Sequence, residues 1–289
     1  MSYYKLLGFD KEPFSTSPDP NFFYLSKEHD SALTNILIEL RLKRGLTVIL
    51  GDIGTGKTTL SRKLIHELRQ REDFIFYMML NPYFETESDF LSALFHHFNI
   101  ETTKELSQMK PPEMMNIIER FLLQKTVNEG KTLTLIIDEA QKINESTLEA
   151  LRVFLNFETN EYKLLQVVLL GQLELVPKVL HLPNFYDRIS LKYVLNPFDV
   201  DDTRRMILFR LARAGFVSQR PLFSEEAIEE IHQYTMGYPR RITMICHKAL
   251  KQLIIQKKEI VDLEIVRDLI NQENQGIWKK SDTLQHKIY

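Results

Sequence analysis

Gly51-Asp52-Ile53-Gly54-Thr55-Gly56-Lys57-Thr58 fits the pattern G-x-x-x-x-G-K-[ST] and follows directly on the apolar run Thr47-Val48-Ile49-Leu50. Residues of these types at this spacing can wrap a polyphosphate. Glycine lets the backbone curl until successive N–H groups converge on phosphate oxygens. The helical stretch from Thr58 to Leu68, with Thr59 in its first turn, adds the partial positive charge of a helix N-terminus. Lys57 would neutralise the outer phosphates, and the Thr58 hydroxyl would ligate Mg²⁺.

A second chemical cluster ends the run Leu133-Thr134-Leu135-Ile136-Ile137-Asp138-Glu139. A buried strand with acids only at its C-terminal end presents them at the mouth of an open α/β sheet, where such sheets take ligands. Asp138 would hold Mg²⁺ through water, and Glu139 would orient and partly deprotonate an attacking water. A plain strand end capping the next helix is the competing reading. The 81 positions separating Lys57 from Asp138 leave room for one intervening strand and its helices. The Asp138 strand can therefore lie beside the strand that feeds the glycine loop.

Three further side chains could complete such a site. Gln172 follows Leu164–Gly171, a strand end suited to a contact with the γ-phosphate or the attacking water; an ordinary loop amide is the alternative. Arg188 precedes the last apolar run and could reach a neighbouring subunit's phosphates, or else pair with Asp187. Arg240, in Gly237-Tyr238-Pro239-Arg240-Arg241, opens a helix whose dipole disfavours two cations there. A bound polyphosphate would offset that cost; a solvated surface arginine is the bland reading.

The elements that must position these residues are legible from periodicity. Apolar runs at 46–50, 74–80, 133–137, 164–170 and 189–195 alternate with stretches of helical spacing, such as Leu60, Leu64 and Leu68, or Leu148, Leu151 and Leu155. Uniformly apolar strands between amphipathic helices indicate a parallel sheet covered on both faces. A helix over 27–43 precedes them. After Pro197 the strand pattern stops, and helices are expected over 201–214, 224–234 (capped by Ser224), 240–256 and 262–272 (capped by Asp262). Four segments follow: an extended Phe-, Tyr- and Pro-rich arm at 1–25, an α/β nucleotide-binding domain at 26–197, a helical lid at 198–275 and a tail at 276–289.

The 289 residues suffice to bury a sizeable core without disulfide or metal staples. Composition is that of a folded globular chain, 44% hydrophobic and 26% charged. No stretch reaches the ~18 apolar residues that span a bilayer, and the first residues lack a signal peptide's apolar centre. The single cysteine, Cys246, cannot form an internal disulfide and fits a reducing compartment. A net charge of −2 gives no global attraction to nucleic acid. His96-His97 and Cys246-His247 lack companions at zinc-site spacing and read as structural, and Phe22-Phe23-Tyr24 reads as packing.

The glycine loop, the Asp138-Glu139 pair, Gln172, Arg188 and Gly-x-Pro-Arg at 237–240 together resemble the AAA+ ATPases. More narrowly, the chain is similar to the ExeA/GspA (general secretion pathway protein A) group, which includes the MshM pilus-biogenesis ATPases. The narrower likeness lies in Tyr4, Phe9, Pro13-Phe14, Pro18-Asp19, Phe23-Tyr24-Leu25 and His29, in Ile137–Gln141, and in Leu165–Leu175. It covers about residues 3–275. The resemblance implies an α/β P-loop NTPase (AAA+) three-layer sandwich with a small all-α lid, ATP, ADP and Mg²⁺ as ligands, and a homo-oligomer, ring or helical. By that resemblance 51–58 is Walker A, Asp138 and Glu139 are Walker B, Gln172 is sensor 1, Arg188 the arginine finger and Arg240 sensor 2. Leu173 stands where proline usually follows the sensor glutamine, and Asp187 where glutamine commonly precedes the finger. Larger ExeA-type proteins continue into a membrane span and a peptidoglycan-binding domain, and no counterpart is expected in these 289 residues.

The resulting expectation is ATP hydrolysis in an oligomer that assembles or remodels a cell-envelope secretion or type IV pilus complex, from the cytoplasm and peripherally at the inner membrane. The alternative is a transposition-regulator-type ATPase that polymerises on DNA. Its support is an acid-free stretch from Ile231 to Lys258, where Arg241, Lys248, Lys251 and Lys258 fall in an arc of roughly 100°. That stripe could meet DNA or acidic lipid, or simply be solvated. A nucleotide-binding scaffold without hydrolysis is disfavoured by Glu139.

Overall fold

The computed structural model describes residues 3–16, 20–218 and 220–275. The expected tail at 276–289, and Pro18-Asp19 of the arm, lie outside them. The chain forms two compact units, one of residues 27–196 and one joining residues 1–26 to residues 197 onward.

The second of these opens with a single helical turn, α1 (Tyr3–Leu6). Phe9, Phe14 and Phe22 are buried in that unit's core, so the segment read as an arm on a domain surface supplies core rings instead. The cause is a buried cation. Arg210 donates to the carbonyl oxygens of Pro13 and Ser15 and to Thr243 Oγ1, each at 2.8 Å, with the Phe14 and Phe22 rings beside its guanidinium. The turn at Pro13–Phe14 lies outside any helix, so the Pro13 and Ser15 carbonyls can accept from that guanidinium, as helix-bonded carbonyls would not.

The 27–196 unit holds α2 (Lys27–Arg41), β1 (Leu46–Gly51), α3 (Lys57–Arg69), β2 (Phe74–Met79), α4 (Glu87–His97), α5 (Pro111–Leu123), β3 (Thr132–Ile137), α6 (Glu145–Phe154), β4 (Leu165–Gly171), α7 (Leu175–Leu180), α8 (Pro183–Tyr186) and β5 (Ile189–Leu195). The sheet is all parallel, in the order β2-β3-β4-β1-β5. Alternate residues feed two separate cores. Val48, Leu133, Leu135, Val167 and Leu169 face α4 to α8, whereas Ile49, Ile136, Val168 and Leu170 face α2 and α3. This is the three-layer α/β/α arrangement of a P-loop NTPase.

One possibility goes unused and one expectation fails. The Asp138 strand does not adjoin the glycine-loop strand, because β4 lies between β3 and β1. Every residue of β4 is buried, which suits it to the middle of the sheet. The last strand is also not buried on both faces. β5 is an edge strand whose Ser190, Lys192 and Val194 are exposed while Ile189, Leu191 and Tyr193 are half-buried. Lysine on an exposed edge discourages pairing with another sheet.

The other unit continues with α9 (Val200–Arg213), α10 (Glu225–Thr235), α11 (Pro239–Ile255) and α12 (Leu263–Gln275). Ser224 caps α10 by accepting from Ala227 N–H, and Asp262 accepts from Ile265 N–H at the start of α12. Among the described residues no helix is long and apolar enough to cross a membrane.

Candidate functional site

β1 ends at Gly51 and α3 begins at Lys57, so the five residues between them must reverse the chain above the sheet. Gly54 and Gly56 do so with φ of 86° and 101°, left-handed values that side chains disfavour. Thr55 is buried, and its hydroxyl donates to the Asp52 carbonyl at 2.9 Å. His29, buried in the first turn of α2, lies with Nε2 2.9 Å from the Thr55 carbonyl oxygen. A carbonyl only accepts, so Nε2 carries the proton and donates.

Lys57 is 93% buried, and its ammonium donates to the main-chain oxygens of Gly51 (2.7 Å) and Asp52 (2.8 Å). Both acceptors are neutral. Burial holds the ammonium below the usual lysine range, opposed by the carboxylates of Asp138, Glu139, Asp52 and Glu174. A buried cation resting on carbonyls, beneath a loop of left-handed glycines at a helix N-terminus, fits a polyphosphate.

Asp138 follows β3 and is almost wholly buried. Burial raises its carboxyl above the ordinary value, and the charge of Glu139 adds to that. A hydrogen bond from the Thr58 hydroxyl, the Glu139 N–H at 2.9 Å and the charge of Lys57 pull the other way. The Thr58–Asp138 contact brings together the two side chains assigned to Mg²⁺. No group of three or more His, Cys, Asp or Glu among the described residues could hold a metal alone. A cation here would take further oxygens from water and phosphate, which suits magnesium, an ion that keeps several waters.

Glu139 sits in the left-handed region at φ 55°, ψ 36°, an uncommon place for a non-glycine residue. Its carboxylate accepts from Gln141 Nε2 at 2.9 Å, with Lys142 Nζ 3.6 Å away. Gln172 begins the loop after β4. Gly171 pairs with Leu50 in register, which sets Gln172 beside the start of the glycine loop. Its main-chain N–H donates to Gln141 Oε1 at 3.1 Å. The structure thus gathers 51–59, Asp138, Glu139 and Gln172 at the C-terminal ends of β1, β3 and β4.

Arg188 is elsewhere. Ile189 pairs with Leu46 at the start of β1, so Arg188 stands at the opposite end of the sheet, about 17–20 Å along the strands from Gly51. Its guanidinium is held by Asn156 Oδ1 and the Asn184 carbonyl, and not by Asp187. Arg240 is exposed in the first turn of α11, in the other unit, and makes no ion pair among the described residues.

The basic stripe is largely spoken for. Lys248 pairs with Glu273, and Lys258 with Asp262 and Glu264, while Arg241 and Lys251 lie over the rings of Tyr238 and Tyr3. His97 stacks on Tyr77, His247 meets Tyr3 and Glu12, and Cys246 is wholly buried.

Two contributors, His29 and Gln141, entered the sequence reading only as part of the family likeness and were given no role there. By type alone, His29 looks like any residue in a first helical turn, and Gln141 like a loop amide. Only the two-residue spacing of Gln141 from Glu139 hints at contact.

Residues 40–179 match the family model described as an AAA domain. General secretion pathway protein A of Aeromonas hydrophila is 36% identical over 251 residues, 86% of this chain, and the chain spans 44% of that relative's length. An uncharacterised ATP-binding protein of Methanocaldococcus jannaschii is 25% identical over 78% of this chain and 68% of its own. Among solved structures, the Aeropyrum pernix ORC2 protein superposes with a TM-score of 0.64 at 15% identity, covering 91% of this chain and 72% of its own. The Thermotoga maritima RuvB Holliday junction branch migration motor gives 0.54 at 16% identity, over 86% and 70%. At these identities the two structures speak for the fold alone.

Proposed function

We propose, from the premise that this chain is an AAA-type P-loop ATPase related to general secretion pathway protein A, that it hydrolyses ATP to ADP and phosphate in an oligomer. The work done is assembly or remodelling of a cell-envelope secretion or type IV pilus complex, from a peripheral place at the inner membrane. The observation that carries the reading is the buried Lys57 ammonium, set on two neutral carbonyls where a triphosphate would lie.

In this mechanism residues 51–59 bind the phosphates and Lys57 meets the charge of the β- and γ-groups. Thr58 and Asp138 would hold Mg²⁺, which when bound neutralises charge on the transferred group. Glu139 orients the attacking water and takes its proton, and Gln172 lies towards the γ-phosphate. Arg188 cannot reach the site of its own chain from the far end of the sheet. A head-to-tail neighbour would present it to the next site, a heterologous contact that yields a ring or a helix. Arg240 is proposed as the γ-phosphate sensor that the family resemblance implies.

Electron microscopy with a slowly hydrolysed ATP analogue, alongside turnover at rising protein concentration, tests the reading. Closed or helical assemblies formed with the analogue, and a rate per chain that climbs with concentration, are expected. A monomer with concentration-independent turnover would refute the shared site. The envelope role is tested by co-purification with secretion or pilus components, and their absence from the assembly would remove it.

A further inference from the structure

One amide joins two of these residues from different strands. Gln141 Nε2 donates to Glu139 Oε2 at 2.9 Å, and Gln141 Oε1 accepts from the Gln172 main-chain N–H at 3.1 Å. The two neighbours fix the orientation of the amide without ambiguity. A carboxylate can only accept and a main-chain N–H can only donate, so a flipped amide would lose both bonds. The Gln141 main chain is held as well. Lys178 on α7 donates to the carbonyl oxygens of Gln141 (2.6 Å) and Ile143 (2.9 Å), fastening the turn after β3 to the helix after β4. A Cβ on Gly171 would come within 3.4 Å of Gln141 N, so the two loops are already in close contact there.

We infer that Gln141 is a positioning residue for hydrolysis, one that fixes the Glu139 carboxylate and couples it to the segment carrying Gln172. This rests on the reading of Glu139 as the group that activates water. A carboxylate at a left-handed backbone position, more than a third exposed, has rotamers to choose from. The bond at Oε2 removes that choice and leaves Oε1 for the water. Any shift of the main chain at Gln172 would pull on the same amide and re-aim the carboxylate. The chemistry calls for glutamine: glutamate keeps the bond from Gln172 but repels Glu139, alanine keeps neither, and asparagine is one methylene short of spanning both.

The test uses the full chain with Mg²⁺ and ATP, measuring single-turnover cleavage, and affinity for a fluorescent ATP analogue. Variants are Gln141→Ala, Gln141→Glu and, as reference, Glu139→Gln. Cleavage in Gln141→Ala should fall ~10- to 100-fold, the range that misplacement of a catalytic group costs. Analogue affinity should stay within about two-fold, since ground-state contacts are untouched. Gln141→Glu should fall at least as far. Wild-type cleavage in either Gln141 variant, with Glu139→Gln slow, would overturn this inference alone. An affinity loss matching the rate loss would overturn it too, by marking Gln141 as merely structural. Wild-type cleavage in Glu139→Gln would instead remove the underlying reading.

Discussion

His29 and Gly56 face each other with no room between them: a Cβ on Gly56 would stand 2.7 Å from His29 Nε2. The same nitrogen donates to the Thr55 carbonyl. The first turn of α2 therefore fixes the glycine loop in its curled form from behind, and the left-handed φ of 101° makes glycine necessary there twice over.

Gly56→Ala should destabilise the chain by about 1–3 kcal/mol from backbone strain, before counting the clash with His29. His29→Ala should cost ~1–3 kcal/mol, the price of leaving the buried Thr55 carbonyl unpaired. Thermal denaturation and nucleotide titration check both. ATP affinity should fall in each, and a Gly56→Ala chain with wild-type stability and affinity would refute the close approach.

Asp138 offers a separation of stability from function. Its folded carboxyl is raised by burial, so the native state keeps a proton that the unfolded chain has released. The contribution is thus favourable at low pH, and is lost as pH rises from the ordinary aspartate value of 3.8 through the raised one. Asp138→Asn should melt at a higher temperature than wild type at neutral pH, with the difference shrinking on acidification. Hydrolysis should nevertheless drop by more than ~10-fold, since the metal loses a ligand's charge. Melting curves from pH 4 to pH 8 with turnover at pH 7.5 decide it; a lower melting temperature for Asp138→Asn at neutral pH would contradict the sign.

Much of this was legible in the residues. The five apolar runs became strands within a residue or so of the expected ends: β1, β3 and β4 are buried almost throughout, and β2 and β5 still carry apolar residues at alternate positions. Strand order was not legible. The spacing of Lys57 and Asp138 allowed adjacency, but nothing along the chain records that β4 returns to pair with β1 on the side facing β3. The glycine loop announced itself, since its positive-φ positions demand glycine. The bonds of Gln141 and His29 did not, because a glutamine or histidine reads the same in the sequence whatever its partner. The stripe at 241–258 hides its partners for a related reason: its counter-charges, Asp262, Glu264 and Glu273, lie at the start of the next helix and along it.

Arg188 gives the sharpest test of a shared site. Arg188→Ala and Lys57→Met chains should each be nearly inactive, for different reasons. Mixed, they create interfaces where an intact glycine loop meets an intact Arg188, and turnover should recover to a sizeable fraction of wild type. The recovery should grow with total protein concentration. A mixture no more active than its components would place Arg188 outside the reaction.

The buried ammonium of Lys57 is the group that must meet the triphosphate for any of this chemistry to occur. Titration of wild type and Lys57→Met with a fluorescent ATP analogue in Mg²⁺, with the fold of both verified by circular dichroism, measures this directly. Loss of a charge-assisted contact predicts ~10- to 100-fold weaker binding, with cleavage falling further. Equal affinity and equal turnover in the two chains would contradict it.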